Sequence, residues 1–157
     1  MIIKGLVDED FVNYKKPSMF IAFPSCTFKC ERECGQKICQ NSTLAQAPNM
    51  EISTRTLVER YMNNPITSAI VCGGLEPFDS WDNLQELVYR LRLKTDDDIV
   101  IYTGYEYKEI NYAVDWLTQF PNIIIKFGRY KYGDVPHYDP ILGVQLASNN
   151  QYAERIS

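Results

Sequence analysis

Four short apolar runs, Ser18–Phe23, Thr67–Cys72, Ile99–Tyr102 and Asn122–Phe127, alternate along the chain with segments of helical periodicity. This alternation constrains the fold more than any other feature of the sequence. Apolar strands are buried on both faces, and parallel neighbours need a crossover between them, usually a helix. In the first crossover Leu57, Val58, Tyr61 and Met62 form one helical stripe behind a cap at Ser53 or Thr54. Asn63-Asn64-Pro65 ends it, because proline disfavours helix in the residue before it. Leu84, Leu87, Val88 and Leu91 mark a second helix starting near Asp79 or Ser80. Ile110, Ala113, Val114 and Leu117 mark a third, which stops before Pro121.

Repeated βα units predict an α/β fold with a parallel sheet covered by helices. The chain has 157 residues, fewer than the ~250 of a complete eight-fold barrel. The expectation is a partial, open (β/α) barrel forming a single domain over residues 1–157. Residues 1–16 read as an N-terminal arm or edge strand, Gln40 to Ala47 as a short helical turn, and Gly143–Ala147 as the last short strand.

Between the first strand and the first helix, four of the five cysteines (Cys26, Cys30, Cys34 and Cys39) crowd one loop. An odd total with this crowding argues against a secreted disulfide framework and for thiolate ligands in a reducing cytoplasm. Thiolates hold iron–sulfur clusters and zinc. Structural zinc sites usually place two close cysteine pairs about a dozen or more residues apart. Here three, three and four residues separate successive cysteines, and the sole histidine, His137, is distant in sequence. The spacing favours a cluster. A cubane held by three cysteines keeps one iron open to a small molecule, whereas four would close it for electron transfer.

Several function classes are excluded. The net charge is −4 without a basic block, so nucleic acid has no electrostatic footprint here. No apolar run approaches the ~20 residues of a membrane span. No signal peptide is recognised, and a cytoplasmic location is expected.

Ligands of parallel sheets bind beyond the carboxyl ends of the strands. Those ends carry the cysteine loop, Gly73-Gly74-Leu75-Glu76-Pro77, Tyr102-Thr103-Gly104, Lys126-Phe127-Gly128-Arg129 and Ser148-Asn149-Asn150. All are polar or glycine-rich and are expected on one rim. The two glycines let a backbone approach a ligand closely. Glu76 can accept hydrogen bonds from an ammonium group, and Lys126 can pair with a carboxylate. The plainer readings are a glycine turn and a strand-end lysine in water. Cys72 reads as an inert buried thiol and His137 as a surface loop residue.

These residues also resemble a known family. Cys26-Thr-Phe-Lys-Cys30 is similar to the first half of the C-x-x-x-C-x-x-C loop of radical S-adenosylmethionine proteins, and Cys39-Gln-Asn-Ser resembles its end. Cys72-Gly-Gly-Leu-Glu-Pro-Phe resembles their Gly-Gly-Glu/Asp-Pro motif. Ile101-Tyr-Thr-Gly-Tyr, Phe127-Gly-Arg-Tyr and Leu146-Ala-Ser-Asn-Asn-Gln are similar to segments of the activating component of anaerobic (class III) ribonucleotide reductase. The resemblance covers Ser18 to Gln151. The chain departs from it in two places: eight residues, ERECGQKI, separate Cys30 from Cys39 and bring their own Cys34, and Leu75 is inserted before Glu76.

The resemblance implies a 4Fe–4S cluster on Cys26, Cys30 and Cys39, with Cys34 as the alternative third ligand. It implies S-adenosylmethionine bound through Gly73, Gly74, Glu76 and Lys126, with Tyr102, Thr103, Gly104, Ser148 and Asn149 along the nucleoside. No catalytic residue is implied beyond the cluster. Reductive cleavage would give a 5′-deoxyadenosyl radical that takes a hydrogen from a glycine of the large reductase subunit. The implied partners are that subunit and an electron donor such as flavodoxin or ferredoxin. The alternatives are a radical enzyme for another glycyl-radical protein or a small molecule, and a non-catalytic zinc or iron–sulfur module.

Overall fold

The computed structural model describes residues 1–157. In chain order the strands are β1 (Ile2–Ile3), β2 (Gly5–Asp10), β3 (Ser18–Phe23), β4 (Met50–Glu51), β5 (Ala69–Gly74), β6 (Asp98–Tyr102), β7 (Ile123–Phe127), β8 (His137–Asp139), β9 (Val144–Leu146) and β10 (Tyr152–Arg155). The helices are α1 (Lys29–Cys34), α2 (Ser42–Gln46), α3 (Thr54–Met62), α4 (Trp81–Arg92) and α5 (Asn111–Leu117). The central sheet has six strands in the order β10-β7-β6-β5-β3-β2. Its inner strands β3, β5, β6 and β7 run parallel, as the alternating pattern predicts. Both edge strands, β2 and β10, are antiparallel to their neighbours. The sheet is open at both edges, a mostly parallel α/β arrangement.

Helices α3, α4 and α5 pack on one face, against Met19, Ile21, Ile70, Ile99, Ile101, Ile123 and Ile125. All four predicted stripe residues of α4 are buried, each contributing about 1.5–3 kcal/mol of apolar burial. In α3 the stripe is narrower than expected: Leu57, Val58 and Tyr61 are buried, but Met62 at the last turn is exposed. The opposite face carries Ala69, Val71, Val100, Ile124 and Ala153 under Tyr14, Leu142 and Leu146, with no helix among them. A doubly wound sheet has helices on both faces; this one is covered by helices on one face only.

The C-terminal region differs from expectation. β9 does not join the sheet. It forms a separate hairpin with β8, turned at Gly143 with φ 74°. Asp139 holds this hairpin, accepting from Ile141 N and Leu142 N at 2.9 Å and from Ala153 N at 2.9 Å. The sheet edge is instead β10, of which only Ala153 is buried. A strand with one buried residue has no apolar run to reveal it.

Candidate functional site

Because β3, β5, β6 and β7 are parallel, their carboxyl ends meet at one side of the sheet. A cavity of about 330 Å³ opens there. Cys26, Cys30, Cys39, Gly73, Gly74, Glu76, Tyr102, Thr103, Gly104 and Lys126 all line it. Thirteen positions separate Cys26 from Cys39 in sequence (39 − 26 = 13), yet both face this space.

The local structure explains how. α1 starts at Phe28, whose φ of 51° is unusual for a residue with a side chain, and stops at Gly35 with φ 70°. Gly35 N donates back to Glu31 O at 2.9 Å. Glu31 Oε1 then accepts from Cys39 N at 2.9 Å, so the inserted octapeptide closes on itself and returns the chain to the cavity. Asn41 Nδ2 donates to Gly74 O at 2.6 Å and fixes the Cys39 arm on the glycine turn. The Cys26 arm is held by Glu76 N, which donates to Ser25 O at 2.7 Å. Cys34 points elsewhere. It is exposed, its thiol lies 3.4 Å from Gln36 O, and it is absent from the cavity wall.

All five cysteines are free. Burial pushes the Cys26 thiol up to about 11, opposed by the Phe28 N–H that donates to its Sγ at 3.2 Å. Burial also raises Cys30, with neighbouring Cys39 adding to it. Ligation by these thiols therefore releases protons. No three His, Cys, Asp or Glu side chains are grouped tightly enough to hold a single metal ion. Cys72 lies on the helix-covered face, fully buried, its thiol pushed up to about 12 by burial.

Beside the thiols lie a buried carboxylate and a buried ammonium. Glu76 is 6% exposed and Lys126 is 6% exposed. Glu76 Oε1 accepts from Thr103 Oγ1 at 2.8 Å and Phe78 N at 3.2 Å, and its Oε2 accepts from Gly104 N at 2.9 Å. Burial lifts Glu76 to about 7 in spite of these bonds. Lys126 Nζ donates to Gly128 O at 2.9 Å and Thr103 O at 3.5 Å, and burial lowers it to about 8 while Glu76 acts in the opposite sense. The inserted Leu75 leaves Glu76 on the cavity wall. Lys126 is not the solvated strand-end lysine of the plainer reading.

Two placements require correction. Ser148 and Asn149 do not line the cavity. Ser148 is buried and used locally, donating to Asn150 Oδ1 at 2.8 Å and accepting from Lys131 N at 3.2 Å. Asn149 is exposed, and its N–H goes to Asp134. The turn before β10 directs them away; Gln145, Leu146, Ala147 and Gln151 line that side instead. Phe20 and Asn13 also line the cavity, Asn13 O accepting from Tyr102 Oη at 2.6 Å. Phe20 sits inside an apolar strand and looks like any core residue; only the sheet face it occupies distinguishes it. His137 lies in β8, its Nε2 2.7 Å from Gln151 O, and is not part of the wall.

Residues 17–140 match the family model of the 4Fe-4S single cluster domain. The chain belongs to this family. The match spans the four loop cysteines, both glycines, Glu76 and Lys126, and ends before β9 and β10. No curated protein and no solved structure matches the chain. The donor set fits a 4Fe-4S single cluster domain: free thiols are the soft ligands that iron–sulfur clusters take, and three of them share one wall. No helix is long and apolar enough to cross a membrane.

Proposed function

We propose that this iron–sulfur protein is a radical S-adenosylmethionine activase that generates a glycyl radical on anaerobic ribonucleoside-triphosphate reductase. The observation that carries the reading is the sharing of one cavity by three thiols, a buried carboxylate and a buried ammonium. Cys26, Cys30 and Cys39 would hold the cluster, and Cys34 would stay outside. With three thiolates as ligands, one iron would be free of protein and could take the amino and carboxylate groups of S-adenosylmethionine. The chemistry that a bound, reduced cluster would supply is one electron for cleavage of the sulfonium to methionine and a 5′-deoxyadenosyl radical, which would take the glycine hydrogen.

The chain's own residues bind and orient. Glu76 Oε2, with one backbone donor, has capacity left for an ammonium proton. Lys126 Nζ has capacity for a carboxylate. A zwitterion entering between them meets its two complements already desolvated, which strengthens each contact. Tyr102, Thr103 and Gly104 with Phe20 and Leu146 would take the nucleoside. A cavity of about 330 Å³ lies within the ~300–1,000 Å³ range of small-molecule sites. The open sheet edges and one-sided helix cover support entry of a protein loop over closure on a metabolite. In a non-catalytic zinc or cluster module Glu76 and Lys126 would serve only to join the strand ends, through Thr103, Gly104 and Gly128.

The test is anaerobic reconstitution with iron and sulfide, reduction, and assay for 5′-deoxyadenosine. Reduced flavodoxin or ferredoxin would serve as the donor. With the large reductase subunit added, electron paramagnetic resonance should show a glycyl-radical doublet. 5′-Deoxyadenosine without the doublet would redirect the substrate to another glycyl-radical protein or a small molecule. A loaded, reduced cluster that yields no 5′-deoxyadenosine would refute the proposal.

A further inference from the structure

No residue between Phe23 and Thr54 is fully buried, so apolar packing does little to hold the thiol loop in place. α1 has six residues, too few to be stable alone, since isolated helices under about 12–15 residues are marginal. Polar contacts must hold the loop, and two carboxylates outside the cavity wall make several of them. Asp79 Oδ2 accepts from Thr27 N at 2.9 Å, and Asp79 Oδ1 accepts from Tyr105 Oη at 2.6 Å. Glu109 pairs with Lys29 Nζ and accepts from Arg129 Nη2 at 2.5 and 2.7 Å. The Arg129 guanidinium lies 5.8 Å from the centroid of the Tyr105 ring, and its Nε lies 3.6 Å from Glu33.

These contacts form a circuit: Thr27, Asp79, Tyr105, Arg129, Glu109, Lys29. It begins one residue after Cys26 and ends one residue before Cys30. Its fixed members sit on the scaffold, before α4, after β6, after β7 and before α5. Asp79 is free for this because it does not cap α4; the N-cap position is Ser80, which makes no side-chain capping bond.

We propose that Asp79 and Glu109 are positioning residues that clamp the Cys26–Cys30 arm in the geometry the cluster needs. The inference rests on the cluster being held by this loop. Neither carboxylate lines the cavity; each acts through Thr27 N or Lys29. Hydrogen-bonded supports of metal ligands typically change metal affinity about 10–100-fold when removed.

The experiment compares wild type with Asp79→Ala, Glu109→Gln and Lys29→Met after anaerobic reconstitution. Asp79→Asn is the conservative control. Its amide oxygen can still accept from Thr27 N while its nitrogen donates to Tyr105 Oη, so it should recover much of what Asp79→Ala loses. Glu109 also closes a local capping box by accepting from Glu106 N at 2.8 Å. Lys29→Met leaves that box intact and removes only the clamp, and it serves if Glu109→Gln fails to fold. Iron loss to a chelator should be about 10–100-fold faster in Asp79→Ala, Glu109→Gln and Lys29→Met. The reduced cluster's electron paramagnetic resonance spectrum should shift or broaden. In the metal-free chain, amide exchange over residues 26–34 should rise while the strands stay protected. Glu109→Gln with Lys29→Met should be no worse than the worse single change, since they break one link. Wild-type iron loss, spectrum and exchange in all variants would overturn the clamp. A wild-type chain that takes up no iron would instead refute the loop as the cluster site, and the clamp with it.

Discussion

Glu76→Gln separates the two tasks assigned to this carboxylate. In the native chain Oε1 serves Thr103 Oγ1 and Phe78 N, while Oε2 serves Gly104 N. An amide has one accepting oxygen. Whichever way it is flipped, its nitrogen faces one of the two backbone N–H groups, leaving a buried donor unpaired. That costs about 1–3 kcal/mol, or roughly 2–12 °C of melting temperature in a domain of this size. The second effect is on the ligand. If Glu76 receives the amino group of S-adenosylmethionine as proposed, loss of that charge-assisted bond should cost about 1.5–3 kcal/mol, or about 10–150-fold in affinity. Calorimetric melting of the metal-free chain reads the first, and titration calorimetry of the reconstituted protein reads the second. The variant should keep its iron, because Glu76 is not a ligand. Lower stability with unchanged S-adenosylmethionine affinity would show that Glu76 only joins the ends of β5 and β6, and the zwitterion assignment would fall.

Cys39→Ala should abolish iron binding and Cys34→Ala should preserve it, measured as iron per chain after reconstitution; the reverse result would mean that the third ligand is Cys34. Gly74→Ala should destabilise the chain by at least about 1–3 kcal/mol, because φ is 83° and the new Cβ would lie 2.8 Å from Ala22 Cα; urea unfolding at wild-type stability would contradict this. Burial acts to raise Glu109, but hydrogen bonds from Arg129, Glu106 N and Lys29 outweigh it and hold the carboxyl at about 2. Its folded pKa is thus depressed, so its contribution is complete above the ordinary value of 4.5 and fades as pH falls toward about 2. Denaturation across that window should show less acid sensitivity in Glu109→Gln than in wild type, and equal slopes would refute the assignment.

How much of this is readable in the sequence depends on the kind of signal. Parallel strands and amphipathic helices write their burial into local periodicity, so β3, β5, β6, β7 and the stripes of α4 and α5 fall where the spacing predicts. Gly73, Gly74, Glu76 and Lys126 are readable as candidates because a parallel sheet aligns its carboxyl ends. β10 is not readable, because an edge strand with one buried residue has no pattern. The placement of Ser148 and Asn149 fails for the same reason: without β10, the turn before it has no orientation.

The amino-acid sequence by itself determined the α/β class, the thiol-rich loop and the strand ends that meet there, since each follows from chemistry carried within a few neighbouring residues. Tertiary structure alone decided which cysteines share a wall. Composition does not separate Cys34 from Cys39, although the resemblance of Cys39-Gln-Asn-Ser favours Cys39. They are separated by Glu31, whose carboxylate turns the insertion back at Cys39 N, and by Asn41, which ties that arm to Gly74 O. It also decided that Lys126 is buried beside Glu76 and that Asp79 serves the loop and not its own helix. Those outcomes depend on groups dozens of residues apart being brought together when the loop and the strand ends pack, and no local pattern encodes such a meeting.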